Sequence, residues 1–555
     1  MRTDKDEILK LFPAPGFRKY QKETLVRMAE EFETGVKCIL LDAPTGFGKS
    51  PVNIAFAEAA EKAFYITPQL TLIDQMKRDK YVGKHITEIK GRQNYFCQFD
   101  PVATVDVGMC QRVKDFQDCK KYEDCPYYKQ KMKALNAHTA IMSFAYFILE
   151  GYSESDNSFG RRELLILDES HNIDKFVVNY ISLTISPWSV PFSIYQKVSN
   201  IVGNIKNIQD AISVISTVRD IAASQTEVIQ TTLMGGMLSI VQTTALQKLI
   251  NFVGNADRFL ASVQETEWVH QINWSSYKGK NYPRLIVQPL YARTFMKDMI
   301  WCRAEKFIIS SATLLNIPLF LREVGLDDLL KPDEVLHLKI PSTFPIENRP
   351  ILDATEDGTI VMTRDEQEAN FMAAVKVLEK IIELEPNINI AVHCHSYRIS
   401  IGIMNLIDNK YKTRIVSHTA ENRQEMLEEW MKSKGKVFLA VSFEEGQDWV
   451  GDICDCQVLF KVPYGDVGDK RVARRLELKE WKWYRNETLK TVIQSYGRAV
   501  RGPEEKAHYY VIDASFINLI KRTAKDIPEW YYDALPDHWK VLVDFNKYRE
   551  NGGRY

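Results

Sequence analysis

The short apolar run Cys38-Ile-Leu-Leu41 leads directly towards Ala43-Pro-Thr-Gly-Phe-Gly-Lys-Ser50, and a helical run follows. This junction constrains the fold more than any other stretch. Such a loop works when a buried strand delivers it and a helix N-terminus continues it, which implies an α/β sheet. Gly46 and Gly48 let backbone N–H groups curl around phosphate oxygens, and the helix terminus adds partial positive charge. Lys49 is spaced to reach the β- and γ-phosphates, and the Ser50 hydroxyl to ligate magnesium. Pro51 falls in the first helical turn, where a missing N–H costs little. Ala43 stands where such loops usually carry their first glycine. Ala43, Pro44, Thr45, Gly46, Phe47, Gly48, Lys49 and Ser50 form the expected nucleotide cradle.

A second strand-like run, Leu164-Leu-Ile-Leu167, ends in Asp168-Glu169-Ser170-His171. Alone, two carboxylates after a strand read equally well as a solvated turn. Beside a phosphate loop they acquire separate tasks: Asp168 holds magnesium, and Glu169 orients and deprotonates an attacking water.

Short buried strands alternating with helices recur in two regions, predicting two parallel-sheet lobes. The first contains Cys38–Leu41, Ala63–Ile66, Leu164–Leu167 and Lys306–Ile309. The second contains Ile388–Val392, Arg414–Val416, Val437–Val441, Val458–Val462 and His508–Ile512. Two insertions are expected in the first lobe. One, at 92–138, is rich in cysteine. The other, at 176–283, has Ile205, Ile208, Ile212 and Ile215 on one helical face, with Gly235-Gly236 as a break between two arms. The predicted first lobe is thus 1–91, 139–175 and 284–318, and the second lobe is 319–555.

With 555 residues, several cores are affordable in size terms, while 72 basic and 73 acidic residues leave a formal charge of -1. Nucleic-acid binding would therefore have to use local basic tracks and not an overall positive field. The polar start Met1–Lys10 has no secretory pattern, and the longest apolar stretch, Ala140–Leu149, is too short to span a membrane. An intracellular chain, cytoplasmic or nucleoid-associated, with no membrane partner is expected.

Asp168-Glu-Ser-His171 is one letter from the Asp-Glu-Ala-His box of superfamily 2 helicases. Across nearly its whole length, the chain resembles the iron–sulfur helicases of the XPD and DinG families. Arg18 and Gln21, in Phe17-Arg-Lys-Tyr-Gln21, resemble the element that contacts adenine. Thr67-Pro-Gln69 resembles a motif that touches single-stranded nucleic acid, and Ser311-Ala-Thr-Leu314 one that couples ATP state to lobe movement. Pro341-Ser-Thr-Phe344 and Asn348-Arg349 resemble the start of the second lobe. Ser442-Phe-Glu-Glu-Gly-Gln-Asp448 resembles the Glu-Gly-x-Asp motif, adding Asp448 to the nucleotide-binding set. Gln494-Ser-Tyr-Gly-Arg-Ala-Val-Arg501 resembles the last motif. Gln494, Arg498 and Arg501 share one helical face, so cations from one lobe would meet a phosphate held on the other. Ser170 and the polar segment His393-Cys-His-Ser-Tyr397 depart from the usual pattern without removing a required group.

Cys97, Cys110, Cys119 and Cys125 are separated by 12, 8 and 5 residues, within Gly91-Arg-Gln-Asn-Tyr-Phe-Cys97 and Cys125-Pro-Tyr-Tyr128. The resemblance implies a [4Fe–4S] cluster on these four thiolates. Structural zinc is the alternative, although zinc sites usually have close C-x₂₋₄-C pairs that are missing here. Reduced core cysteines are a third reading, for which the stretch is too polar. Arg92, Lys120, Lys121, Lys129, Lys131 and Lys133 alternate with Tyr95, Phe96, Tyr122, Tyr127 and Tyr128, a pattern suited to a single strand or to an ordinary solvated face.

The resulting expectation is an α/β protein with two RecA-like lobes, the first carrying an iron–sulfur insertion and a helical arch. Using ATP and Mg²⁺, it would act as a monomeric motor on single-stranded and forked DNA, 5′ to 3′ as is usual in the family. A nucleotide-switched scaffold, an RNA-directed ATPase and a nuclease are the alternatives, the last lacking an N-terminal domain because the first lobe begins near residue 17.

Overall fold

A computed structural model describes residues 1–543 apart from Asp115, Gln117, 152–157, Lys278, Ser442, 444–448, 450–452, Arg501 and Pro503, with only the backbone at Tyr122 and 232–235. The first part of the chain supplies strands β1 (Cys38–Asp42), β2 (Ala63–Thr67), β3 (Thr87–Glu88), β4 (Phe96–Cys97), β5 (Asp100–Thr104) and β6 (Thr139–Ser143). It continues with β7 (Arg162–Asp168), β8 (Leu183–Ile185), β9 (Trp268–Tyr277), β10 (Lys280–Pro289), β11 (Ala304–Ser311) and β12 (Val335–Lys339). The remainder supplies β13 (Ile351–Asp353), β14 (Ile390–His393), β15 (Ile415–Val416), β16 (Val437–Ala440), β17 (Cys456–Leu459) and β18 (His508–Val511).

The first large sheet runs β12-β1-β11-β7-β2-β6-β3, with every pairing parallel. Its inner strands are apolar through their centres because both faces are covered. Cys38 and Leu40 pack into one core and Ile39 and Leu41 into another, and Leu165 and Leu167 are likewise separated from Leu164 and Ile166. The second large sheet, β13-β18-β17-β14-β16-β15, is also parallel. Two RecA-like parallel-sheet lobes result.

Register positions the chemistry. β1 pairs with β11 so that Asp42 faces Ser311, and β11 pairs with β7 so that Ser310 faces Asp168. The phosphate loop and the two carboxylates consequently leave the same rim of the sheet, two strands apart.

Three features differ from the sequence expectation. The division at 318/319 falls too early, because β12 pairs with β1 and belongs to the first lobe. The division at 283/284 cuts β10, whose pairing with β9 runs from Lys280 to Pro289. The second insertion also contains an antiparallel sheet, β8-β10-β9, and is not purely helical. Its signal was local. Gly279, at φ 76°, lies between the paired Tyr277 and Lys280, while Leu285 and Val287 alternate inward. The two long helices, Ile208–Gly235 and Ile240–Ser262, pack side by side. Ile215 is buried, with Ile205, Ile208 and Ile212 packed against the same core.

Candidate functional site

Gly46 and Gly48 adopt φ values of 85° and 82°, in the left-handed region that glycine tolerates without strain. Gln21 Nε2 donates to the Phe47 and Gly48 carbonyls at 2.9 and 3.1 Å, and Gln21 Oε1 accepts from the Arg18 backbone N–H at 2.7 Å. Arg18 Nη1 donates to the Gly46 carbonyl at 2.9 Å. Arg18 and Gln21 thereby hold the loop by its carbonyls. A Cβ on Gly48 would meet Gln21 Nε2 at 2.6 Å, so the fit requires glycine. Lys49 Nζ lies 3.1 Å from Glu169 Oε1 and donates to the Ala43 carbonyl at 3.4 Å.

Asp168 is buried and oriented through both oxygens. Tyr65 donates its hydroxyl hydrogen to Oδ2 at 2.8 Å, and the Glu169 backbone N–H donates to Oδ1 at 3.0 Å. Asn53 donates to the Tyr65 hydroxyl at 3.4 Å and to Ser310 Oγ at 3.0 Å, and Ser50 also interacts with that hydroxyl. Burial, followed by the charge on Glu169, pushes the Asp168 carboxyl up to about 6, although Lys49 and Tyr65 oppose the shift. A buried carboxylate held against its preference is suited to a cation, and Ser50 supplies a second oxygen nearby. Glu169 has φ 48°, a left-handed conformation that is uncommon for a non-glycine residue and costs about 1–3 kcal/mol.

From the second lobe, the Trp481–Tyr496 helix brings Gln494, and the turn after it brings Arg498, to this rim. Pro44, Thr45, Gly46, Gly48, Lys49 and Ser50 share one cleft of about 900 Å³ with Arg18, Gln21, Asp168, Glu169, Gln494 and Arg498. Ala43 and Phe47 are buried just behind its wall. Gln494 Nε2 donates to Thr313 Oγ1 at 3.0 Å and to His171 Nε2. His171 Nδ1 pairs with Ser311 Oγ at 2.9 Å, and Lys490 Nζ donates to the His171 carbonyl at 2.7 Å. Glu487, 2.6 Å from both Lys175 and Lys490, reinforces this junction. Burial alone would raise its carboxyl, but the two lysines hold it well below the usual carboxylate range. Asp448 and Arg501 lie outside the described residues.

Cys97, Cys110, Cys119 and Cys125 line one small pocket with Phe99, Phe116, Val105 and Met109, and all four are free thiols. The Cys119 thiol is raised by burial first, then by Cys110 and Cys125, and after Asp124 by Cys97, which reflects the proximity of the four cysteines. A Cβ on Gly108 would come 3.0 Å from Cys97 Sγ, so the wall leaves this sulfur room only beside glycine. Among the described residues, no three histidine, cysteine or acidic side chains converge on one point as a single ion would require. Four cysteines lining one pocket are a donor set whose chemistry fits an iron–sulfur cluster or a zinc ion.

Comparison with known proteins follows the same division of the chain. Residues 85–190 match the DEAD_2 family model, and residues 378–534 match the model described as the helicase C-terminal domain. Together the two matches support an XPD/DinG-like superfamily 2 helicase. The Escherichia coli (strain K12) ATP-dependent DNA helicase YoaA is 25% identical to this XPD/DinG-like chain over 231 residues, 31% of the chain. The match takes in 36% of YoaA, about a third of that curated relative's length. The Dictyostelium discoideum general transcription and DNA repair factor IIH helicase subunit XPD is 19% identical, over 79% of this chain and 70% of its own. A solved XPD helicase superposes with a TM-score of 0.61 at 16% identity, covering 96% of this chain and 99% of that one. S. tokodaii Xpd4 superposes at 0.57 and 14% identity, covering 93% and 99%. At these identities the structural likeness concerns the fold.

In this XPD/DinG-like chain, two of the basic and aromatic candidates for strand binding are buried. The Pro126–Asn136 helix presents Tyr127, Lys131 and Ala134 on one face to the first lobe. Lys131 pairs there with Glu150 at 2.8 Å, and the Tyr127 and Tyr146 hydroxyls are 2.9 Å apart. Lys120, Lys121, Lys129, Lys133, Arg92 and Phe96 remain exposed. Sequence reading missed Tyr65 and Asn53. Their signal was a hydroxyl and an amide facing each other across an otherwise apolar strand and helix.

Proposed function

We propose that the chain hydrolyses ATP between its two lobes and uses the resulting movement to travel along single-stranded DNA and separate duplexes in genome maintenance. The observation carrying this reading is the shared cleft. Lys49, Asp168 and Glu169 enter it from the first lobe, while Gln494 and Arg498 enter from the second. Lys49 neutralises the β- and γ-phosphate oxygens, Glu169 positions and deprotonates water, and Arg498 meets charge that develops as the cleft closes. Arg501 and Asp448 have the roles that the motifs give them. Ser50 and Asp168 would hold magnesium, which supplies charge neutralisation between phosphates. Cys97, Cys110, Cys119 and Cys125 would hold a [4Fe–4S] cluster, whose contribution is to cross-link a small domain. Arg18 and Gln21 order the phosphate loop and border the base.

The reading further includes 5′ to 3′ movement, forked DNA as substrate, a monomeric motor and an intracellular location. No helix among the described residues is long and apolar enough to cross a membrane. Lys49→Ala is expected to remove DNA-stimulated ATPase and unwinding while the fold persists. Undiminished turnover in this variant would refute the assignment of the loop. Separate measurements with single-stranded DNA and RNA distinguish a DNA motor from an RNA-directed ATPase, and absence of turnover in the unaltered chain would favour a scaffold.

A further inference from the structure

Phe344 lies on the connection between the two large sheets, and its ring packs against Gly46. A Cβ on Gly46 would be 1.9 Å from Phe344 Cζ, 2.7 Å from Cε1 and 2.9 Å from Cε2. The same ring, only 9% exposed, clusters with Ala499, Val500 and Ala507 of the second lobe. Ala499 and Val500 immediately follow Arg498. One side chain thus touches both the phosphate loop and the segment that brings the cation towards the cleft.

The ring is anchored to the second lobe. Arg349 Nη2 donates to the Phe344 carbonyl at 3.5 Å, while Arg349 Nη1 donates to the Trp530 carbonyl at 2.6 Å and to the Tyr496 hydroxyl at 3.3 Å. Tyr496 donates in turn to the Arg349 carbonyl and ends the helix that carries Gln494. Beside the ring, a Cβ on Gly497 would be in ordinary contact with Thr45 Oγ1 at 3.8 Å. Gly46, Gly497 and Arg498 line the cleft, whereas Phe344 is absent from its lining.

We infer that Phe344 is a strut setting the separation between the phosphate loop and Arg498, a positioning residue for hydrolysis that does not itself contact nucleotide. This rests on the proposed ATPase reading. A cation that stabilises developing charge works only at the correct distance, and displacement by about 1 Å can cost about 100-fold in rate. The phosphate contacts expected to dominate nucleotide affinity, from the loop, Lys49 and Ser50, belong to the first lobe. Cζ is the ring atom nearest Gly46, so a hydroxyl there has no room. Phe344→Tyr, ordinarily a mild change, should push the two segments apart, whereas Phe344→Leu should fill the gap without doing so.

The test uses the full chain and compares F344A, F344Y and F344L with the unaltered protein. Fluorescent mant-ADP reports nucleotide affinity, single-stranded DNA-stimulated ATPase gives kcat and KM, and hydrogen exchange is followed over 43–50 and 494–500. F344A and F344Y are expected to lower kcat about 10- to 100-fold with mant-ADP affinity held within about 2-fold. F344L should retain more turnover than either. Exchange should rise at both segments in F344A. Weakened mant-ADP binding with unchanged kcat would make Phe344 a nucleotide ligand and overturn the inference, as would unaltered exchange at both segments. If the unaltered chain lacks turnover, the ATPase reading falls, and the exchange comparison still decides whether the strut exists. If F344A does not fold, the ordering of F344Y and F344L carries the same test.

Discussion

Replacing Arg162 with methionine should release the helix that follows Cys125 from the first lobe. Arg162 begins β7, is 3% exposed and donates to five backbone carbonyls. Nη1 reaches Ala63, Ala137 and His138 at 2.9, 3.0 and 3.1 Å, and Nη2 reaches Ala134 and Leu135 at 3.0 and 3.2 Å. Four of these carbonyls lie at the end of the Pro126–Asn136 helix or just beyond it, where helical partners run out. Burial pushes Arg162 down to about 10, leaving it cationic at neutral pH. Two acceptors have other donors: Ala137 N–H bonds to Ala134, and Ala63 N–H bonds to His138. Of the remaining three, Ala63 sits within the β2–β6 ladder, so Leu135 and Ala137 depend most on the guanidinium. Stranding those two buried acceptors at about 1–3 kcal/mol each, with partial relief from the methionine side chain, gives a local loss of about 3 kcal/mol. That corresponds to roughly 100-fold faster opening of the helix end. Hydrogen exchange resolved by peptide is the assay, with amides across 129–138 compared against β11 as an internal control. Unchanged exchange across 129–138, or an equal acceleration in β11, would refute the clamp.

Tyr65→Phe keeps the ring but removes the donor to Asp168, so the Mg²⁺ concentration that half-saturates ATPase should rise about 3- to 10-fold, the equivalent of one hydrogen bond, with little change in melting temperature. Equal Mg²⁺ dependence in both proteins would show that the contact is idle. His393 is buried, its ring donating or accepting at 3.0 Å with Gln457, and burial followed by the neighbouring charge of Arg498 lowers it to about 4 despite the opposing hydrogen bond. The unfolded chain binds this proton below about 6.5, so stability is full above that pH and falls as pH drops towards 4. At pH 4.5 the unaltered chain should have lost about 2.5 kcal/mol that His393→Asn does not lose; parallel denaturation curves at pH 7 and 4.5 would contradict this. Cys119→Ser should lower bound iron in anaerobically purified protein and accelerate proteolysis within 92–138. Stoichiometric zinc with no iron would instead favour the tetrahedral alternative.

The two large sheets were legible because central parallel strands are covered on both faces, leaving uninterrupted apolar runs such as Ile39-Leu-Leu41 and Leu164–Leu167. β12 escaped because it is an edge strand whose residues are half buried, and His337 and Lys339 interrupt its apolar pattern. Ala140–Leu149 read as one stretch, whereas the chain changes there from β6 into the Phe144–Gly151 helix, a boundary that apolar character alone does not reveal. The phosphate loop was visible because its spacing is local. Tyr65 was not, because its partner Asp168 is 103 residues away and only the β2–β7 pairing joins them. Lys131 misled for the opposite reason. Its charge was evident, but the helical face that buries it against Glu150 was not.

The ion pair between Lys49 and Glu169 has a consequence for timing. On the proposed function, the lysine that would take phosphate and the carboxylate that would take water neutralise one another at 3.1 Å. An arriving triphosphate would compete for the lysine and, in taking it, free the carboxylate. The base would then become available at the moment a substrate could use it. Stray water meeting the site beforehand would encounter a proton acceptor already satisfied by its neighbour, so on this reading the cleft is disarmed by default and armed by its own cargo.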